Sequence, residues 1–155
     1  MDKLFGTSGI RGVVGDQLTP ELTLDLGLAL ATHLGGEGSV VLGKDPRTSS
    51  EMLESCLISG LLSGGCDVKR LGIVPTPAVS FAVRCFSAKA GVMITASHNP
   101  PEYNGIKFWG SDGIAYTPEQ ERAIERIYFG KRIKPAAWDR IGKVGAVDVL
   151  PSYID

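Results

Sequence analysis

Two helix starts in this chain share one signature, Thr19-Pro20-Glu21 and Thr117-Pro118-Glu119, and Thr76-Pro77 starts a further helix. A threonine hydroxyl can cap helix N–H groups. Proline wastes no hydrogen bond in the first turn, and glutamate favours the positive helix end. Apolar stretches fall between these starts. Leu22, Leu26, Ala29, Leu30 and His33 recur at helical spacing, and Gly35-Gly36 ends that helix. Ser39-Val40-Val41-Leu42 and Asp67 to Leu71 read as strands. Ala90 to Thr95 reads as a third strand, apolar enough for burial on both faces. Thr48-Ser49-Ser50-Glu51 has capping-box spacing and predicts a helix with Met52, Cys56, Leu57, Gly60 and Leu61 on its core face, ending at Gly64-Gly65. The helix from Thr76 should run to about Phe86, and Ile106 to Trp109 and Ile114 to Tyr116 suggest two strands around Ser111-Asp112-Gly113. Gly9 to Asp16 reads as a Gly-rich hairpin or loop. The β-α-β-α-β order predicts an α/β fold: a three-layer α/β/α domain with a mixed, mostly parallel sheet.

The bulk properties exclude several classes. With 155 residues, 43% hydrophobic and 21% charged, the chain can bury one core and is not disordered. A formal net charge of −1 argues against nucleic-acid or acidic-membrane partners. Cys56, Cys66 and Cys85 form no C-x-x-C pair, so they read as buried free thiols, not a disulfide framework or zinc site. Met1-Asp2-Lys3 opens no signal peptide, and no apolar run approaches the ~20 residues of a membrane span. A cytoplasmic location is the expectation. After Gly130 the chain becomes Pro-containing, with one short strand expected within Gly142 to Val149. Residues 1–150 read as one domain, and 151–155 as the start of a linker to a second domain absent from this chain.

Two segments carry chemistry. Thr95-Ala96-Ser97-His98-Asn99-Pro100 follows a strand end, and Asn104-Gly105-Ile106-Lys107 re-enters a strand. A serine oxygen, an imidazole and an ammonium group are what a covalent phosphoryl or acyl carrier needs. Asn99-Pro100-Pro101 stiffens the loop, and Gly105 permits close backbone approach. Read alone, the loop is either a functional site or a capped polar turn. In Phe5-Gly6-Thr7-Ser8-Gly9-Ile10-Arg11-Gly12, glycines bracket two hydroxyls and a guanidinium, a set suited to phosphate. A flexible turn with a solvated arginine is its other reading. Sites in such sheets lie outside strand carboxyl ends, so Asp45-Pro46-Arg47 should meet the Ser97 loop in one crevice. Gly38 to Lys44 has P-loop spacing, but Asp45 stands where a hydroxyl should bind magnesium.

Together, Phe5 to Gly12, Gly43 to Ser50, Thr95 to Pro100 and Asn104 to Lys107 resemble the motifs of the α-D-phosphohexomutase family, the phosphoglucomutases and phosphomannomutases. They occur in that family's order over nearly the whole chain. The resemblance implies interconversion of hexose 1-phosphate and hexose 6-phosphate through a phosphoserine and a bisphosphorylated sugar. It makes Ser97 the phosphoserine, with one phosphate oxygen a ligand of Mg2+. His98 and Lys107 would position charge and protons, Arg11 would hold the transferring group, and Asp45 and Arg47 would orient them. The substrate would be glucose or mannose phosphate, Ser8 leaning away from the glucosamine branch. The family's metal loop and sugar-discriminating parts belong to further domains, so this chain alone is expected to be inactive and to bind magnesium poorly. The rival readings are a non-catalytic phosphosugar-binding module and a serine hydrolase using Ser97 and His98.

Overall fold

A computed structural model describes residues 3–154. Met1, Asp2 and Asp155, on which the reading of the two ends partly rests, lie outside them. Six strands form one mixed sheet: β1 (Ile10–Val13), β2 (Ser39–Lys44), β3 (Asp67–Ile73), β4 (Ala90–Ile94), β5 (Tyr103–Gly110) and β6 (Val144–Ala146). Their spatial order is β1-β5-β4-β2-β3-β6. The β4–β2, β2–β3 and β3–β6 pairings are parallel, whereas β1–β5 and β5–β4 are antiparallel. Helices α1 (Pro20–His33), α2 (Ser50–Ser63) and α4 (Pro118–Phe129) cover one face. Helices α3 (Thr76–Cys85) and α5 (Leu150–Ile154) cover part of the other. The predicted three-layer, mostly parallel α/β/α architecture is present.

Two helix starts form as their residues dictate, whereas α3 takes Thr76 as its first residue, with Pro75 at the N-cap and no side-chain cap. The Thr19 hydroxyl accepts the Leu22 N–H, and Thr117 and Gln120 complete a reciprocal capping box. Each such cap stabilises by about 1 kcal/mol. The box expected at Thr48 does not form. α2 begins one residue later, and the Ser49 hydroxyl accepts from the Asn104 side chain instead of a helix N–H. The core face of α2 shifts accordingly: Leu53 and Glu54 are buried, while Met52 and Cys56 are only half-buried. α1 and α2 pack at backbone distance. A Cβ on Gly60 would lie 2.2 Å from the Leu24 carbonyl oxygen, so only glycine fits there.

Three further expectations need correction. The Gly-rich segment before Asp16 is a true edge strand, because Ile10 to Val13 pair with Ile106 to Tyr103. The strand expected at 114–116 reduces to one bridge, Trp109 to Ala115, since chain direction changes at once for the α4 cap. Of the three thiols only Cys66 is buried, and Cys85 is exposed on the outer face of α3. The late strand is only three residues long, at the exposed edge beside β3.

Register places the chemistry. Lys44 at the end of β2 lies opposite Ile94 at the end of β4, and the Asp45 N–H continues the ladder to the Ile94 carbonyl at 3.0 Å. The loops after these two strands therefore leave the sheet side by side. Because β5 runs antiparallel to β4, its first residues return at the same edge, and β1 brings Arg11 opposite Gly105. No helix among the described residues is long and apolar enough to cross a membrane.

Candidate active site

Ser97 sits at the turn of the loop between β4 and β5, with its side chain exposed. Its φ is +55°, a left-handed conformation. Such a backbone costs a non-glycine residue about 1–3 kcal/mol and persists only where its surroundings enforce it. Ser87 and Lys131 also have positive φ, but each directly follows a helix end, where this conformation is a common stop. Ser97 follows a strand. Its N–H donates to the Thr95 hydroxyl at 3.1 Å, and the Asn99 N–H donates to the Ala96 carbonyl at 3.1 Å.

Arg47 holds this loop from behind. Its guanidinium donates to the main-chain carbonyls of Ser97 (3.0 Å), Asn99 (2.6 Å), Pro100 (2.7 Å) and Tyr103 (3.0 Å). Its Nε faces Asp45 Oδ2 at 3.4 Å. Asp45 Oδ1 accepts from the Ser50 hydroxyl and the Arg47 N–H. Asn104, fully buried, donates from Nδ2 to the Ser49 and Ser50 hydroxyls, and its Oδ1 accepts the Gly105 N–H. The meeting of the Asp45-Arg47 and Ser97 segments, expected from topology, is thus made of direct hydrogen bonds.

Arg11 reaches the loop from the opposite side. It donates from Nη1 to Asn99 Oδ1 at 2.8 Å and from Nη2 to the Ser8 hydroxyl at 3.3 Å. Gly105, between Arg11 and the loop, has no room for a side chain: a Cβ would lie 2.7 Å from the Thr95 oxygen and 2.8 Å from the Ile10 oxygen. Lys107 lies two residues further along β5, on the face Arg11 shares. Its pKa is lowered from the ordinary lysine value, first by burial and then by the charge of Arg11. Among the described residues neither cation has a carboxylate within 4 Å. Two like charges held together without an anion form a place prepared for one.

His98 follows Ser97 in the exposed turn, and its ring has no hydrogen-bond partner among the described residues. The structure therefore brings Arg11 to the Ser97 loop through Asn99, sets Lys107 beside Arg11, and leaves His98 unanchored in the turn. Glu125, on α4, carries no sequence signal for this site. Its buried Oε2 accepts the N–H groups of Leu4 (2.6 Å) and Phe5 (3.1 Å), fastening the segment that leads to Ser8 and Arg11.

Magnesium does not fit this chain on its own. Among the described residues no three His, Cys, Asp or Glu side chains cluster to hold a metal, and Asp45, the carboxylate nearest the loop in this network, is turned to Arg47 and Ser50. At most one ligand, a phosphoryl oxygen on Ser97, could come from here, against about six that the ion prefers.

The fold is an α/β/α domain in which a serine of left-handed backbone conformation lies on the loop that Arg11 reaches. Residues 2–134 match the family described as phosphoglucomutase/phosphomannomutase, alpha/beta/alpha domain I. The chain belongs to this family, the α-D-phosphohexomutases, as its N-terminal domain. It is 57% identical over 152 residues to a probable phosphoglucosamine mutase of Methanothermobacter thermautotrophicus, covering 98% of this chain and 34% of that protein. It is 47% identical over 159 residues to a phosphoglucomutase/phosphomannomutase of Thermococcus kodakarensis, covering 100% and 35%. A crystal structure of a family protein from Burkholderia thailandensis superposes with a TM-score of 0.83 at 29% identity, covering 97% of this chain and 34% of that one. The chain thus spans about a third of the length of the relatives it matches.

Proposed function

We propose that this chain is the phosphoryl-carrying domain of a phosphohexomutase, with Ser97 as the phosphoserine. The observation that carries the reading is the reach of Arg11 to the Ser97 loop, with Lys107 beside it and no carboxylate partner for either among the described residues. Phosphoryl transfer is mostly positioning and neutralisation of oxygen charge. Arg11 would hold the equatorial oxygens, Lys107 would add fixed positive charge, and His98 would exchange the hydroxyl proton. The phosphorus–oxygen bond to Ser97 breaks as one to a sugar hydroxyl forms. The bisphosphorylated sugar turns over, and Ser97 recovers a phosphoryl group from the other end. In the complete enzyme a magnesium ion on a phosphoryl oxygen of Ser97 would neutralise further charge. Its remaining ligands would come from other domains.

The domain boundary near residue 150, the further domains and the hexose phosphate substrate belong to the same proposal. Names borne by the relatives add glucosamine phosphate to glucose and mannose phosphate as candidate substrates. Free thiols at Cys56, Cys66 and Cys85 support a reducing, cytoplasmic compartment.

The test uses the complete enzyme. After incubation with hexose 1,6-bisphosphate, mass spectrometry should place phosphate on Ser97. Ser97→Ala should lower mutase turnover by roughly a thousandfold or more. A phosphate-free Ser97, or a Ser97→Ala enzyme with ordinary turnover, would end the proposal. Comparing glucose, mannose and glucosamine 6-phosphates assigns the branch. The 155-residue chain alone should show negligible turnover.

A further inference from the structure

We infer that Arg47 is a positioning residue that sets the reactive geometry of Ser97 and never touches the phosphoryl group. The inference rests on the reading of Ser97 as the phosphoryl carrier. Its starting point is a donor inventory. Arginine has five N–H donors in a planar fork. In Arg47, Nη1 serves the Pro100 and Tyr103 carbonyls, and Nη2 serves those of Ser97 and Asn99. Nε is turned to Asp45. All four Nη donors are committed inward and Nε lies against the Asp45 carboxylate, so the fork faces away from a phosphoryl oxygen on Ser97. Arg11 is the opposite case: its two hydrogen bonds among the described residues go to neutral side-chain oxygens, which a phosphoryl dianion would outcompete.

The carbonyls of Ser97, Asn99, Pro100 and Tyr103 converge on one cation, so the loop is wrapped around Arg47. Ser97 is pinned at both peptide planes, its N–H on Thr95 Oγ1 and its carbonyl on Arg47 Nη2. These two bonds hold the φ of +55° that the residue would otherwise leave. The clamp is itself rooted in the sheet and α2, because Asp45 is tied to the Ile94 carbonyl and to Ser50, and Ser50 to Asn104 on β5. A lysine cannot replace Arg47. Its three donors radiate from one point and cannot reach four carbonyls and a carboxylate in one plane.

The experiment compares Arg47→Lys and Arg47→Gln with the wild type in two ways. In the 155-residue chain, amide exchange is read at Ser97, Asn99 and Tyr103, whose N–H groups are bonded within the loop. Loss of two of the four carbonyl bonds should speed exchange there by roughly 10- to 100-fold, while β4 and α1 stay protected. In the complete enzyme, turnover should fall at least about tenfold while the KM for hexose phosphate stays within about threefold, with no rescue by lysine. Loop exchange within twofold of the wild type in Arg47→Lys overturns the inference. So does a loosened loop with unchanged turnover. If wild-type Ser97 carries no phosphate, the functional proposal falls instead, and the exchange arm still decides whether Arg47 orders the loop.

Discussion

Replacing Glu125 should damage the site from the far side of the domain. Its Oε2 is shared by the N–H groups of Leu4 and Phe5, 120 or more residues away in sequence. A hydrogen bond to a charged group contributes about 1.5–3 kcal/mol net, and an orphaned buried N–H costs a similar amount. The two bonds share one carboxylate, and alanine would admit some water, so Glu125→Ala should cost roughly 2–4 kcal/mol. For a domain of this size that lowers Tm by roughly 5–15 °C. Glu125→Gln keeps one acceptor oxygen without the charge and should cost about half as much. Urea unfolding followed by circular dichroism gives the stabilities, and amide exchange at Leu4 and Phe5 gives the local effect. Glu121→Ala is the control, since the Glu121 carboxyl pKa is pushed up by burial and then by the Glu125 charge. Its removal relieves repulsion. A Glu125→Ala protein no less stable than Glu121→Ala, or one with Leu4 and Phe5 still protected, would refute the role assigned to this carboxylate.

Three other expectations follow from the geometry. Arg11→Ala should raise the Lys107 pKa, read by carbon-13 NMR titration of its Cε, yet leave it below the ordinary lysine value because burial is the larger cause. The linkage sign is fixed: between the lowered folded pKa and the ordinary value of 10.5, the unfolded chain holds more protons, so stability rises with pH in that window, less so in Arg11→Ala. Thiol labelling near pH 8 should modify Cys85 first and Cys56 more slowly. Cys66, buried and with its pKa pushed up to about 11, should react only after unfolding, which peptide mapping will show. Gly60→Ala should lose about 1–3 kcal/mol in denaturant titration by forcing α1 from α2, whereas Gly145→Ala, with nothing near its Cβ position, should be close to neutral.

What could be read in the sequence was local. The Thr19 and Thr117 caps, the glycine stops and the doubly buried β4 follow from residues within a few positions of one another, and they hold, whereas Thr76 enters α3 as its first residue without capping it. The Thr48 box fails because Ser49 has a better partner in Asn104, 55 residues on. Arg47 shows the same limit at the site. Its loop carbonyls lie 50 to 56 residues away and come within reach only through the parallel pairing of β2 with β4. Topology predicted that the two segments meet, but not that one arginine would commit all four Nη donors there. Glu125 was invisible for a related reason: its partners are main-chain N–H groups, and these leave no trace in side-chain identity.

Ser8 has a contact in the structure that bears on how its role can be tested. In the sequence it leaned toward glucose or mannose and away from glucosamine. In the structure its hydroxyl accepts from Arg11 Nη2, on the side where charge is handled. A hydroxyl bonded to Arg11 would adjust how that guanidinium is held, whichever sugar is attached. The lean from Ser8 rests on the sequence alone. Ser8→Ala should then alter turnover to a similar degree with glucose, mannose and glucosamine 6-phosphates in the complete enzyme. A change of more than about fivefold in the ratio between any two sugars, about 1 kcal/mol of discrimination, would show that Ser8 reads the sugar after all.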